Sequence, residues 1–257
     1  MWTDVVDLND FYSAPLGRVA RHLIRLEIRR LWPDVRGQRI AGVGYATPYL
    51  KQFRDEAERT VAVMPAYQGV TRWPREGLNA VVLGDETALP FDDSALDRLI
   101  YVHAIENTEH LRVMMQEAWR VLAGQGRLLI VVPSRRGVWC RSERTPFGHG
   151  KPFSKIQLQK LLKETKFEPT QLERALYIPP VDWRIMLHSA PAWERVGRRW
   201  FPRFGGVLVM EAKKQIYAAT PQRRVAFRRP MVVMPNGART PGTAMHGGAS
   251  LAVKRSP

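Results

Sequence analysis

The chain has 257 residues, 45% of them apolar, enough for one sizeable core, and a formal net charge of +16. Its single cysteine, Cys140, excludes an intramolecular disulfide and a cysteine-based zinc cluster, and fits a reducing, cytoplasmic setting. Acids stand at Asp4 and Asp7 where a signal peptide carries bases, and no apolar run approaches the roughly 18 residues of a membrane span, so a soluble protein is expected.

Leu16, Val19, Ala20, Leu23, Ile24, Ile28 and Leu31 recur at helical spacing, with Arg18, Arg21, Arg25 and Arg29 largely on the other side. This predicts an amphipathic leading helix with a basic face. After Pro33 and Gly37 the rhythm changes to short apolar runs separated by helical stretches: 39–43, 60–64, 80–83, 99–102 and 128–132. Five buried strands alternating with helices predict a mainly parallel, doubly wound α/β sheet. Between the fourth and fifth, Leu111, Met114, Met115, Ala118 and Leu122 share a helix face, with Gly124 expected to end that helix. A long polar loop, 134–152, precedes a helix from about Ser154 to Lys166 with Ser154 as its cap. An apolar stretch at 176–178, a Trp-rich helical segment at 181–200 and a last strand at 207–210 complete the pattern. The domain is expected to span residues 1–220. Residues 221–257 hold seven Arg/Lys and no acid, so this tail carries +7 of the charge. Rich in Pro, Gly, Ala and Arg, it is expected to be disordered, either dispensable or a contact for an acidic partner such as nucleic acid or an anionic membrane surface.

In an open parallel sheet, ligands bind beyond the carboxyl ends of the strands. The first strand is followed by Gly42-Val43-Gly44-Tyr45-Ala46-Thr47-Pro48, where two glycines permit a tight turn and a close backbone approach. A lone GxG is also a plain strand-to-helix turn. The third strand runs into Gly84-Asp85-Glu86-Thr87-Ala88-Leu89-Pro90-Phe91-Asp92-Asp93, the fourth into His103-Ala104-Ile105-Glu106-Asn107. Taken alone, Asp85 reads equally as a turn former and His103 as a core histidine.

These stretches, with Glu117-Ala118-Trp119-Arg120-Val121-Leu122-Ala123-Gly124-Gln125-Gly126, resemble the class I S-adenosylmethionine (SAM)-dependent methyltransferases of the ubiquinone/menaquinone-methyltransferase-like branch, called type 11, over about residues 36–168. The resemblance implies a Rossmann-like, doubly wound seven-stranded sheet and SAM as cofactor. It implies that Asp85 accepts from the adenine amino group and that Glu86 lies against the adenine. Gly42 and Gly44 would lie under the methionine part, with Tyr45 and Met64 in apolar contact and His103 near the reacting methyl. Two departures stand out: Ile40 and Ala46 replace an acid and a third glycine, and Met64-Pro65 ends the second strand where the family carries a ribose-binding carboxylate. A lost charged hydrogen bond costs roughly 1.5–3 kcal/mol, or about one to two orders of magnitude in affinity.

Methyl transfer from a sulfonium asks the protein chiefly to position the acceptor and exclude water. A base is needed only where the acceptor must lose a proton, and His103 and Glu106 are best placed for it. In the 134–152 loop, Arg141, Arg144 and His149 are candidates to grip an acidic or phenolic substrate, the alternative being a solvated surface loop. Three functions compete: a methyltransferase on a small-molecule acceptor, quinone-like or lipid-like; an inactive methyltransferase-like protein serving as a binding or regulatory partner of another protein; and an RNA-binding protein relying on its charge. No Asn/Asp-Pro-Pro-aromatic sequence follows the fourth strand, which argues against nucleobase or glutamine amino groups as acceptors.

Overall fold

A computed structural model describes residues 4–216. The tail expected from residue 221 lies outside the described residues. The strands are β1 (Arg39–Gly44), β2 (Arg59–Pro65), β3 (Val81–Gly84), β4 (Leu96–Val102), β5 (Leu122–Pro133), β6 (Phe167–Ala175) and β7 (Val207–Lys214). They form one seven-stranded sheet in the order β3-β2-β1-β4-β5-β7-β6. β7 runs antiparallel to both neighbours and the other pairs are parallel.

Strand residues alternate between two packed faces, because successive side chains point to opposite sides. Ile40, Met64, Ile100, Val102, Leu129, Val131 and Val209 face one layer with α1 (Val5–Ser13), α2 (Pro15–Leu31) and α3 (Thr47–Leu50). Ala41, Val63, Leu99, Tyr101, Leu128, Ile130 and Met210 face the other, with α4 (Leu111–Val121) and α5 (Lys155–Glu164). Apolar residues on both faces are what a sheet covered on both sides demands. A buried carboxylate ties the layers at the sheet's far half: Glu211 accepts from Trp32 Nε1 at 3.0 Å, Arg127 at 2.9 Å and Thr170 Oγ1 at 2.6 Å.

The expected leading helix is α2, started by Pro15. Ahead of it stands α1, which the sequence reading passed over: Asp4 caps Val6 N, and Val5, Leu8, Phe11 and Tyr12 are buried at helical spacing. Ser154 caps α5 as expected, and Gln157 completes a capping box with it. Gly124 does not end α4. The helix closes at Val121 and the chain is extended from Leu122, so Gly124 lies inside β5, where a Cβ would crowd Ile216. β6 is an edge strand whose mixed polar pattern hides it from a search for apolar runs. The segment at 181–200 divides into α6 (Arg184–His188) and α7 (Ala190–Trp200).

Candidate functional site

The strand order reverses between β1 and β4, whose carboxyl ends lie side by side with Gly44 paired to Val102. Such a switch point opens a crevice where ligands bind. Gly44 makes its exit with φ +82°, and a Cβ there would overlap the Val102 carbonyl oxygen. The turn then delivers Tyr45, whose N–H donates to Val102 O at 2.9 Å. Gly42 is needed for packing, because a Cβ would strike Ala46. The missing third glycine thus fits: Ala46 is the side chain that Gly42 makes room for.

The crevice holds a buried aromatic and acid–base group that α1 completes. The Tyr12 ring stacks on Tyr45, centroids 5.5 Å apart and planes at 12°. Tyr49 donates to the Tyr12 hydroxyl at 2.9 Å, which leaves the Tyr12 proton for His103 Nε2 at 2.7 Å. That assigns Nε2 as acceptor and puts the ring proton on Nδ1, which faces Glu106 Oε1 at 3.2 Å. Both Glu106 oxygens are buried and otherwise lack a hydrogen-bond partner. Burial, with Tyr49 beside it, pushes the Tyr12 phenol well above its usual value, and burial pushes Tyr45 up to about 12, so both remain protonated donors. His103 adopts φ +52°, a left-handed conformation costly for a residue with a Cβ, at the exit of β4.

Two residues missed from the sequence lock this group. Gln68, buried beyond β2, donates from its amide to His103 O at 3.1 Å and accepts Val5 N at 2.7 Å, fastening α1 over the crevice. Phe147 lies against His103 at 4.9 Å between centroids and meets Trp139 edge-on at 5.6 Å. The loop therefore reaches the crevice through Phe147. Arg141 and Arg144 face solvent, and His149 Nε2 meets the loop's own Glu143 carbonyl at 2.9 Å.

Two clefts open at the carboxyl ends of the strands. One of about 420 Å³, at the ends of β2 and β3, is lined by Tyr67, Leu83, Asp85 and Glu86. Asp85 Oδ1 accepts Thr87 N and Oγ1, each at 2.7 Å, which holds its carboxyl below the ordinary range. Glu86 accepts from Thr108 Oγ1 at 3.3 Å. Met64 is wholly buried behind this cleft. The other cleft, about 490 Å³, opens onto Tyr12 and Tyr45 and is bordered by Arg21, Lys51, Arg54 and Arg75. Among the described residues these four cations make no ion pair, whereas Arg29, Arg39, Arg120 and Arg127 do. No group of three or more metal-ligating side chains occurs among the described residues.

The family model described as "Methyltransferase domain" matches residues 40–130. No curated protein sequence matches the chain. Among solved structures, a SAM-dependent methyltransferase of Thermotoga maritima, described as a possible histamine N-methyltransferase, aligns with TM-score 0.59 and 16% identity over 84% of this chain and 100% of that one. A Haloferax volcanii methyltransferase in complex with the activator Trm112 aligns with TM-score 0.56 and 15% identity, covering 83% and 96%. The [4+2]-cyclase SpnF aligns with TM-score 0.53 and 20% identity, covering 76% and 80%. At these identities the structures establish the fold. Residues 40–130 thus match the methyltransferase-domain model, and the chain has the fold of SAM-dependent methyltransferases.

Proposed function

We propose that the chain is a SAM-dependent methyltransferase acting on a small-molecule acceptor, with the cofactor lying across the ends of β1, β2 and β3. Two unlike clefts, one at the ends of β2 and β3 and one opening onto Tyr12 and Tyr45, carry this reading. The cleft with Asp85 and Glu86 offers carboxylate acceptors and the aromatic face of Tyr67 to an adenosine. The cleft with Arg21, Lys51, Arg54 and Arg75 suits the carboxylate at the methionine end. The absent ribose carboxylate at Met64 lowers affinity without closing either cleft.

Bound SAM supplies an electrophilic methyl group. The chain's part is to orient an acceptor and remove its proton. Tyr12 demonstrates that a hydroxyl oxygen seats 2.7 Å from His103 Nε2, so an acceptor hydroxyl brought there can give up its proton to that nitrogen. Glu106 holds the imidazole tautomer that keeps Nε2 free to accept. The left-handed backbone at His103 agrees with a residue held for chemistry. Tyr12 fills this seat in the structure, so α1 is the element that must withdraw for an acceptor to enter. A protein partner of the activator kind remains part of the proposal, on the likeness to the Haloferax volcanii complex.

Calorimetric titration of the full chain with SAM and S-adenosylhomocysteine tests the reading. Micromolar binding that weakens about tenfold in both Asp85→Ala and Arg21→Glu supports it. Absence of heat up to millimolar ligand refutes it and leaves the non-catalytic partner as the function.

A further inference from the structure

The 176–206 segment joining β6 to β7 carries α6 and α7, and it leaves and re-enters the sheet at Ala175 and Val207, which pair with each other. Val207 also pairs with Pro133 at the exit of β5. The segment therefore stands at the same end of the sheet as the crevice.

α7 is firmly seated. Ala190, Glu194 and Gly197 form its buried face, and Glu194 accepts Tyr177 N at 2.7 Å. The absence of a Cβ at Gly197 admits the Tyr177 side chain, and Arg198 pairs with Glu27 of α2. With the inner face fixed, the outer residues have no freedom to turn inward. At about 100° per residue, Trp193, Val196 and Trp200 fall on one outward strip and Arg195 and Arg199 on the adjoining one. Trp200 is 71% exposed; Phe201 and Phe204, just beyond the helix, are exposed too, and Ile185 of α6 is 84% exposed. Soluble surfaces rarely gather so many large apolar side chains.

We infer that this face docks the protein on an anionic lipid bilayer. Charge complementarity selects that occupant. Trp at the level of the headgroups, Phe and aliphatic side chains beneath, and Arg segregated on the flanking strip are the composition of an interfacial helix. The chain's own tail is a poor alternative, since residues 221–257 carry only positive charge and would face Arg195 and Arg199. A strip containing Val196 and Ile185 also suits lipid better than stacked bases. This surface is separate from the two clefts, so its test does not depend on SAM binding.

The test is co-sedimentation of the full chain with vesicles of phosphatidylcholine and of a phosphatidylcholine–phosphatidylglycerol mixture. Wild type is expected to pellet with the anionic vesicles and much less with the neutral ones. Trp193→Ser/Trp200→Ser and Arg195→Glu/Arg199→Glu should each lower partitioning about tenfold or more, while Trp193→Phe/Trp200→Phe retains most of it. Thermal melting of each variant checks the fold, which these exposed positions do not support. Three results overturn the inference: wild type that ignores anionic vesicles, double variants that still pellet like wild type through the basic tail, or an effect of the substitutions on RNA binding or self-association in place of vesicle binding.

Discussion

Tyr12→Phe removes one oxygen from the centre of the crevice and leaves the ring stacked on Tyr45. In the structure that oxygen accepts from Tyr49 at 2.9 Å and donates to His103 at 2.7 Å. All three side chains are buried. Removing it strands the Tyr49 hydroxyl and His103 Nε2, at about 1–3 kcal/mol for each buried unpaired group, offset by no longer burying the Tyr12 hydroxyl. A net loss of about 2–3 kcal/mol is expected. Tyr49→Phe should cost only about 1 kcal/mol, because Tyr12 still donates to His103. In the double variant no Tyr49 hydroxyl is left to strand, so its loss should fall short of the sum of the singles by about 1 kcal/mol or more. Urea denaturation of the four proteins, with equal slopes required, measures this. Additivity within about 0.5 kcal/mol would refute the hydrogen-bond chain and, with it, the seat assigned to an acceptor hydroxyl.

Glu194 gives a pH dependence. Burial raises its carboxyl from 4.5 to about 7, so the folded state holds a proton there that the unfolded state has lost. Stability from this group is complete below about pH 4.5 and falls as pH rises through about 7, by about 3 kcal/mol at most, and Glu194→Gln should flatten a melting profile over that window. Gly44→Ala should cost at least about 2 kcal/mol by the same denaturation assay, since φ is +82° and the new methyl meets the Val102 carbonyl; an alanine variant as stable as wild type would contradict the turn described. Glu211→Ala leaves Arg127 and Trp32 Nε1 without their buried partner and should lower stability by about 3–5 kcal/mol, read as a fall in the urea midpoint.

The central strands were legible because they are buried on both faces and stand out as unbroken apolar runs; β3 was found by its apolar run although at the sheet edge Val82 and Leu83 are exposed, not buried as expected. Ser154 likewise announces α5 through a side chain that acts within one turn. β6 was not legible: at the edge, Glu168, Gln171 and Glu173 interrupt the pattern without harming the strand. Of the residues that follow strands directly, Asp85 and Glu86 line one cleft, Tyr45 lines the other, and His103 lies buried against Tyr12. Tyr12, Gln68 and Phe147 were not found, because each acts across a long stretch of chain and carries no local signature. Tyr12 did have a weak signal: Val5, Leu8, Phe11 and Tyr12 repeat at helical spacing, and that alone predicts a helix with a face to bury.

The departures at Met64 and Ala46 and the presence of α1 belong together. The resemblance leads one to expect a carboxylate at the end of β2; here Met64 is buried and Pro65 leads at once into a turn closed by Gln68 N on Pro65 O at 2.9 Å. Gln68 then spends its amide on the His103 carbonyl and its own carbonyl on α1. The exit of β2 thus holds the lid and the His103 turn in place, a role a solvated carboxylate at that position could not fill. The absence of a carboxylate at the β2 exit and a fastened α1 therefore go together. Gln68→Ala removes the side-chain bond to His103 O but keeps the main-chain carbonyl that accepts Val5 N: loosening the turn that carries that carbonyl should quicken hydrogen exchange at Val5 to Tyr12 while SAM affinity stays level or rises. Slower exchange, or affinity falling by more than about tenfold, would show that Gln68 serves the cofactor instead of the lid.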